Sequence, residues 1–530
     1  MFLSPLDLFV VAIYAVALFA IAQYVSREPK GTLKSTEDYF LAGKSLPWWA
    51  IGASLIAANI SAEQIIGMSG EGYRIGLAIA AYEWQAAIVL IIVAKYFLPI
   101  FLKREIYTMP QYLDQRFGTG VKTTMSIYWI FLYTVINLTT VLWLGGIAIE
   151  TLTGMNIMLA MTCLGAFALT YSIFGGLKAV ALTDIIQVVI LIAGGAIIAI
   201  MTLNMIGGGS FLNGFERLYT ELPEKFDMIF EPKQKGYDTM PGIWTLLGGL
   251  WILHLNYWGF NQYIIQRALG AKDLPEAQKG LVFAAILKLI MPLIIVLPGI
   301  AAVMLATPEM GILDQAALNA KTDSTYPSLM RLMPAGVRGL IFAALIAAIV
   351  SSLASMVNSI STIFTMDIYK SMIKPNQSEN HYVGIGRMTA IISMIVAVFA
   401  AKPFLGGFES GFQFVQDFTG FFAPGVVAVF LLGMFFKNSN ASGAFAALIA
   451  SVALSALFYF VFNDFSFVKR IWAVFLICMT LALVVSALTK GPEEKQILKI
   501  GDVNFATRTS FNISTVAIVV CLILLYWVFW

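Results

Sequence analysis

Apolar runs of roughly 20 residues recur along this chain, each long enough to cross the ~30 Å hydrocarbon core of a bilayer as a helix. With 59% hydrophobic and 12% charged residues over 530 positions, and a mean hydropathy of +0.83, its solvent is lipid. Lipid cannot satisfy an open backbone N–H or C=O, so the chain must close its own hydrogen bonds wherever it spans. The expected fold is an all-α membrane protein. Hydropathy divides it into about fourteen spans. They fall near 5–25, 47–70, 76–102, 123–150, 157–175, 179–206, 241–266, 279–306, 336–366, 382–404, 412–436, 441–462, 467–489 and 510–530.

Charge orients the spans. The first run has no basic segment before it and no small-residue cleavage site, so it reads as a retained helix rather than a signal peptide. Its basic flank follows it, in VSREPKGTLKSTEDYFLAGK, which predicts an external N-terminus. The loops then assigned inside carry Lys103, Arg104, Arg116, Lys122, Lys178, Arg267, Lys272, Lys279, Lys370, Lys374, Lys490, Lys495, Lys499 and Arg508. Two long loops, 207–240 and 307–335, fall outside, and an even span count puts both termini outside. Lys469 and Arg470 are the exception, at an outer boundary. A net charge of +3 gives no reason to expect nucleic acid as a partner. Cys163, Cys478 and Cys521 lie in apolar runs without metal or disulfide spacing. Two histidines leave little for haem or copper, and there is no GxxxxGK[ST] loop to bind a nucleotide.

Several spans are interrupted by polar residues. In SLPWWAIGASLIAANISAEQIIGMSGEGYR (45–74) the apolar run breaks at Asn59, Ser61, Glu63 and Gln64, with Gly67 and Gly70 beyond. Two readings compete: a short helix followed by an exterior loop, or a helix unwound at membrane depth. The second is the device by which secondary transporters present carbonyls and half-helix ends to substrate and ion. A second interruption, GGLWILHLNYWGFNQYII, begins at 248 in the span 241–266. Broken segments at matching places in two halves point to an inverted repeat with a site between the halves.

The span 336–366 carries Ala348, Ser351, Ser352 and Ser355 on one helical face. Small residues allow close helix packing; alternatively, adjacent hydroxyls supply oxygens to a hard cation. Glu83, Asn137, Lys288, Gln413, Gln416 and Asp417 interrupt other spans. Each alone could be a structural hydrogen bond, and Lys288 could snorkel. Together they suit a neutral polyhydroxylated ligand, with Tyr257 and Trp258 offering an aromatic face beside His254 and Asn256. A strictly anionic substrate would want more counter-charge than Lys288. Without a nucleotide site, the energy for transport must come from an ion gradient, worth ~2.3 kcal/mol per charge per 100 mV before the concentration term.

The segments KSTEDYFLAGKSLPWWAIGASLIAANISAEQIIGMSG, YSIFGGLKAVALTDIIQV, WGFNQYIIQR and AALIAAIVSSLASMVNSISTIFTMDIYK resemble the sodium/solute symporter family, in particular its bacterial galactose-transporting (sodium/glucose-type) branch. The resemblance runs over nearly the whole chain. It implies a LeuT-type core of two inverted five-helix repeats, 47–206 and 241–436, with one helix before and three after. It implies sodium held by the carbonyls of Ala57, Ile60 and Ala348 and the hydroxyls of Ser351 and Ser352. Gln64, Glu83, Lys288 and Gln416 would bind the sugar hydroxyls, with Asn137 at the edge. Tyr257, held by Asn59, would be the inner gate. Met68, Tyr82 and Phe412 would form the outer gate, and Asp184 would lie on the sodium exit path. Against the galactose-transporting pattern, His254 replaces Asn and Ala86 replaces Ser, so the preferred sugar can differ. The expected protein is a multi-pass symporter of the bacterial inner membrane, monomeric or weakly dimeric, not an enzyme. It would co-transport sodium with a hexose such as galactose or glucose. Other solutes (myo-inositol, sialic acid, an amino acid), a sugar sensor and a channel are the alternatives.

Overall fold

The computed structural model describes residues 3–25, 44–106, 108–408, 410–462, 465–491 and 500–530. The basic segment 26–43, Lys495, Lys499 and the side chain of Lys178 lie outside the described residues. Helices dominate, and the β-pairing among described residues is a single bridge between Leu46 and Ala271. Among the described residues, ten helices are long and apolar enough to span a bilayer, or eleven if one bent pair counts as a span. Pro5–Val25 and Ile157–Ile206 are further apolar helices, and 241–266 is broken. A turn was expected between 175 and 179, but the backbone is helical without interruption from Ile157 to Ile206.

The bent pair is the first interrupted segment. Trp48–Asn59 and Glu63–Ile75 meet at 59°. Ile60 leaves helical geometry (φ −75°, ψ 76°), and the Ser61 N–H turns back to the Asn59 carbonyl at 2.8 Å instead of reaching Ala57. A π-helical turn, Glu63–Gly67, follows the break. The exterior-loop reading is thereby excluded: almost every residue from Ala50 to Ile75 is buried, Gln64 and Arg74 being partly so. The second interrupted segment breaks at Gly248–Gly249, passes through Leu250–His254, widens into a π turn over Leu255–Phe260 and restarts as Gln262–Leu269. Asn261 caps the restart: its side chain accepts from the Tyr263 N–H at 3.2 Å and from the Tyr133 hydroxyl at 2.9 Å.

Four long helices frame these breaks. Leu274–Leu305, started by an Asp273 cap, carries Lys288. It packs so tightly on the first broken helix that a Cβ on Gly299 would stand 2.2 Å from the Ser69 carbonyl oxygen, and one on Gly72 2.7 Å from that of Val296. Val337–Thr362 carries the serines, and Ile157–Ile206 carries Asp184. Gly411–Phe435, capped by Ser410, carries Gln416. Pro424 interrupts its hydrogen bonding, and Ser451 of the next helix bridges the gap, donating to the Phe421 carbonyl (2.8 Å) and accepting from the Gly425 N–H (2.9 Å). At its far end, buried Arg116 donates to the carbonyls of Gly433, Phe436 and Ser439 at 2.9–3.0 Å. A guanidinium there satisfies helix-end carbonyls that have no partner of their own.

Both ends of the chain meet the two long loops on one side of the bundle. Asp7 accepts from the Gly336 and Gly339 N–H groups and pairs with Arg338. The N–H groups of Met228 and Ile229 donate to the carbonyls of Phe529 and Trp530. On this side Lys225 donates to the carbonyls of Tyr73 and Arg74, closing the end of the first broken helix. Burial lowers its pKa to about 8. Arg470 breaks the loop-charge pattern for a structural reason: it is buried against Asp417 at 3.4 Å, among the rings of Phe421, Tyr459 and Phe467.

Candidate functional site

A cavity of about 730 Å³, counting the space at its mouth, lies between the two broken helices and the helices bearing Lys288, Asn137 and Gln416. Its wall includes every residue anticipated for the sugar: Gln64, Glu83, Asn137, His254, Tyr257, Lys288 and Gln416. Asn59, Glu63, Tyr82, Trp129, Tyr133, Asn256, Trp258, Asn261 and Thr419 complete its polar and aromatic lining. Ala86 is buried but is not part of this wall. Of the two departures from the galactose-transporting pattern, only His254 therefore faces the cavity.

The lysine does not snorkel. Lys288 is 1% exposed; its Nζ donates to Glu83 Oε2 at 2.6 Å and to Asn59 Oδ1, and lies 5.1 Å from the Trp258 ring centroid. Asn59 turns its amide nitrogen to the Tyr257 hydroxyl at 3.2 Å, and the Tyr263 hydroxyl donates to the same oxygen at 3.2 Å. A continuous chain thus runs Glu83–Lys288–Asn59–Tyr257–Tyr263, from the Glu83 helix through the first broken helix to the second. At the break in the first helix, the Asn59 side chain reaches out to Lys288 and Tyr257 on two other helices. At the opposite side Tyr82 and Phe412 meet edge to face with centroids 5.0 Å apart. Phe412 lies against Gly67, where an added Cβ would come within 2.7 Å of its own, and neighbouring Met68 is buried. The three residues expected at the outer gate are all buried, and Tyr82 among them lines the cavity.

The anticipated sodium ligands come from two helices joined by a carboxylate. Asp184 accepts from Ser54 Oγ at 2.8 Å, on the first broken helix, and from Ser351 Oγ on the serine helix. Arg267 donates to Ser54 (2.8 Å), Ser355 (3.1 Å) and Asp184 (3.4 Å). Ala57 sits one turn beyond Ser54, with Ile60 at the break; both are buried, as is Ala348 one turn before Ser351. The Ser352 hydroxyl is buried without a hydrogen-bond partner. The carbonyl of Ala57 has lost the Ser61 N–H that an unbroken helix would give it. An unused hydroxyl and a freed carbonyl are the kind of oxygens a hard cation takes.

A model of the sodium:solute symporter family matches residues 39–451. The chain belongs to this family. The sodium/glucose cotransporter of Vibrio parahaemolyticus is 49% identical over 537 aligned residues, which cover 100% of this chain and 99% of that one. Sodium/glucose cotransporter 1 of Ovis aries is 33% identical over 84% of this chain and 70% of its own length. Among solved structures, a substrate-bound, outward-open sodium-coupled sialic acid symporter superposes with a TM-score of 0.80, at 21% identity, over 93% of this chain and 99% of that one. That likeness is one of fold.

Arg267 is the chief residue that sequence reasoning misplaced. It reads as a loop cation after WGFNQYIIQ, yet it is buried against Asp184. Its signal was position: it follows Tyr263 by one helical turn, on a segment whose other residues are buried. Ser54 and Tyr133 gave no signal, because a serine or tyrosine within an apolar run is ordinary. Glu63 was visible only as an interruption.

Proposed function

We propose that this chain is a sodium-coupled symporter that imports a hexose such as glucose or galactose by alternating access. The observation that carries the reading is the convergence of Gln64, Glu83, Asn137, His254, Tyr257, Lys288 and Gln416 on one cavity between two broken helices. The full-length likeness to a sodium/glucose cotransporter supports the same ion and solute class.

Sodium is the co-transported cargo. Its proposed ligands are the carbonyls of Ala57, Ile60 and Ala348 and the hydroxyls of Ser351 and Ser352, with Asp184 beside them on the way out. Binding there ties the first broken helix to the serine helix and so fixes Asn59, which holds Lys288 and Tyr257. Loss of sodium frees the break, and with it the Asn59–Tyr257 contact at the inner gate. Met68, Tyr82 and Phe412 act as the outer gate. Fourteen spans, ten of them in two inverted five-helix repeats, 47–206 and 241–436, with one before and three after, suit the two broken helices at corresponding places. The proposed setting is a bacterial inner membrane, with both termini and the two long loops outside. All the proposed sugar contacts come from one chain, so a monomer suffices as the transport unit.

The test is uptake of labelled glucose and galactose into proteoliposomes under an inward sodium gradient, with potassium replacing sodium as control. Accumulation only with sodium, competed by unlabelled hexose, is the expected result. Equal uptake in potassium, or none of either sugar, overturns the reading.

A further inference from the structure

Glu63 lines the cavity at the start of the π turn, is 5% exposed, and has a buried Oε1 with no hydrogen-bond partner. No cation among the described residues pairs with it. Lys288, the single lysine or arginine among the described lining residues, is already engaged by Glu83. Three neighbouring groups on the wall are also unsatisfied: Gln64 Oε1, His254 Nε2 and the Tyr82 hydroxyl. An amide oxygen and a carboxylate oxygen only accept, a neutral imidazole nitrogen can do so, and a phenol can donate or accept. Around Glu63 and Gln64 the wall therefore calls for donors from the ligand, and its formal charge from Glu63, Glu83 and Lys288 is negative.

We propose that Glu63 is a ligand-contacting, specificity-determining residue that accepts a hydrogen bond from the sugar and excludes anionic sugars. This deepens the proposed function and rests on it. A neutral hexose or an amino-substituted hexose supplies hydroxyl or ammonium donors. A hexuronate brings a carboxylate to a wall whose one ammonium is taken. Like charges about 5 Å apart at an effective dielectric of ~20 weaken binding on the order of a hundredfold.

The experiment is sodium-dependent binding of glucose, galactose, their 2-amino and 6-amino derivatives and their uronates to purified protein, for the parent, Glu63→Gln and Glu63→Asp. In the parent, the amino sugars bind at least as tightly as the hexoses, and the uronates about a hundredfold more weakly. Glu63→Gln narrows the hexose-over-uronate ratio tenfold or more, while Glu63→Asp, which keeps the charge, preserves it. A ratio unchanged in a hexose-binding Glu63→Gln overturns the inference. So do uronates that bind the parent as well as hexoses do, a result that needs no variant to fold. Absence of any sodium-dependent hexose binding by the parent instead overturns the underlying function.

Discussion

Removing Lys288 should cost more stability than removing Lys288 and Glu83 together. The two charges are 1% and 2% exposed and 2.6 Å apart, so each supplies what the other lost on leaving water. Breaking a pair of this kind from one side costs about 3–5 kcal/mol, because the remaining charge stays buried without a partner. Lys288→Met also strips the donor from Asn59 Oδ1, and Glu83→Gln leaves the ammonium with neutral acceptors and no counter-charge. The double variant Glu83→Gln/Lys288→Met buries no charge and should return to within about 1–2 kcal/mol of the parent. The assay is thermal unfolding in detergent without sugar, run on all four proteins and read as a double-mutant cycle. A coupling of about 2 kcal/mol or more is expected. Hexose binding should be lost in all three variants, the stable double variant included, which separates folding from ligand contact. A double variant no more stable than the weaker single would refute the pairing. A double variant that still bound hexose normally would remove both residues from the sugar site.

Ser352→Ala deletes a hydroxyl with no protein partner, so melting in sodium-free buffer should hardly move while the sodium needed for half-maximal uptake rises tenfold or more. An unchanged sodium dependence would take Ser352 out of the ion site. Asp323 lies in the segment between the Lys288 helix and the serine helix; it accepts from the Gly411 N–H at 2.9 Å, and burial raises its pKa to about 7. Raised above the unfolded value, it binds more protons folded than unfolded, so its contribution is full below about pH 4 and is lost as pH climbs to about 7. Asp323→Asn keeps an acceptor for Gly411 and should gain on the order of 3 kcal/mol relative to the parent between pH 5 and 7.5, seen as a flatter melting profile. Gly299→Ala would drive a Cβ to 2.2 Å from the Ser69 carbonyl oxygen and should cost about 1–3 kcal/mol, with Gly299→Ser no milder. Parental melting in Gly299→Ala would show that the two helices can part freely.

The fold was legible because lipid leaves few choices. Long apolar runs had to be helices, and polar residues such as Asn59 and Lys288 had to find one another. The break at 59–61 was legible for the same reason, since Asn59, Ser61, Glu63 and Gln64 cannot all face lipid. Periodicity was a poorer guide where a span continues into its neighbour. Gly175 and Gly176 beside Lys178 look like a turn, yet the helix runs on through them. Buried arginines were the other blind spot. Arg116 and Arg267 follow apolar segments as loop cations do, and only three-dimensional neighbours, helix-end carbonyls for one and Asp184 for the other, reveal them as internal fasteners.

Arg116 makes a lever of the cavity wall. It fixes the short helix Met109–Phe117 to the end of the helix that carries Gln416. The stretch after it, through Trp129, Tyr133 and Asn137, forms an adjoining part of the wall. With Ser451 splinting Pro424, the Gln416 helix can pivot as one rod about its fastened end. Seventeen residues separate Gln416 from Gly433, about 26 Å of helix at 1.5 Å per residue. A tilt of about 10° at the pivot then sweeps Gln416 through about 4–5 Å, more than the length of a hydrogen bond. A small rotation at one end of the bundle would thus be geared up at the other, at the Gln416 contact proposed for the sugar.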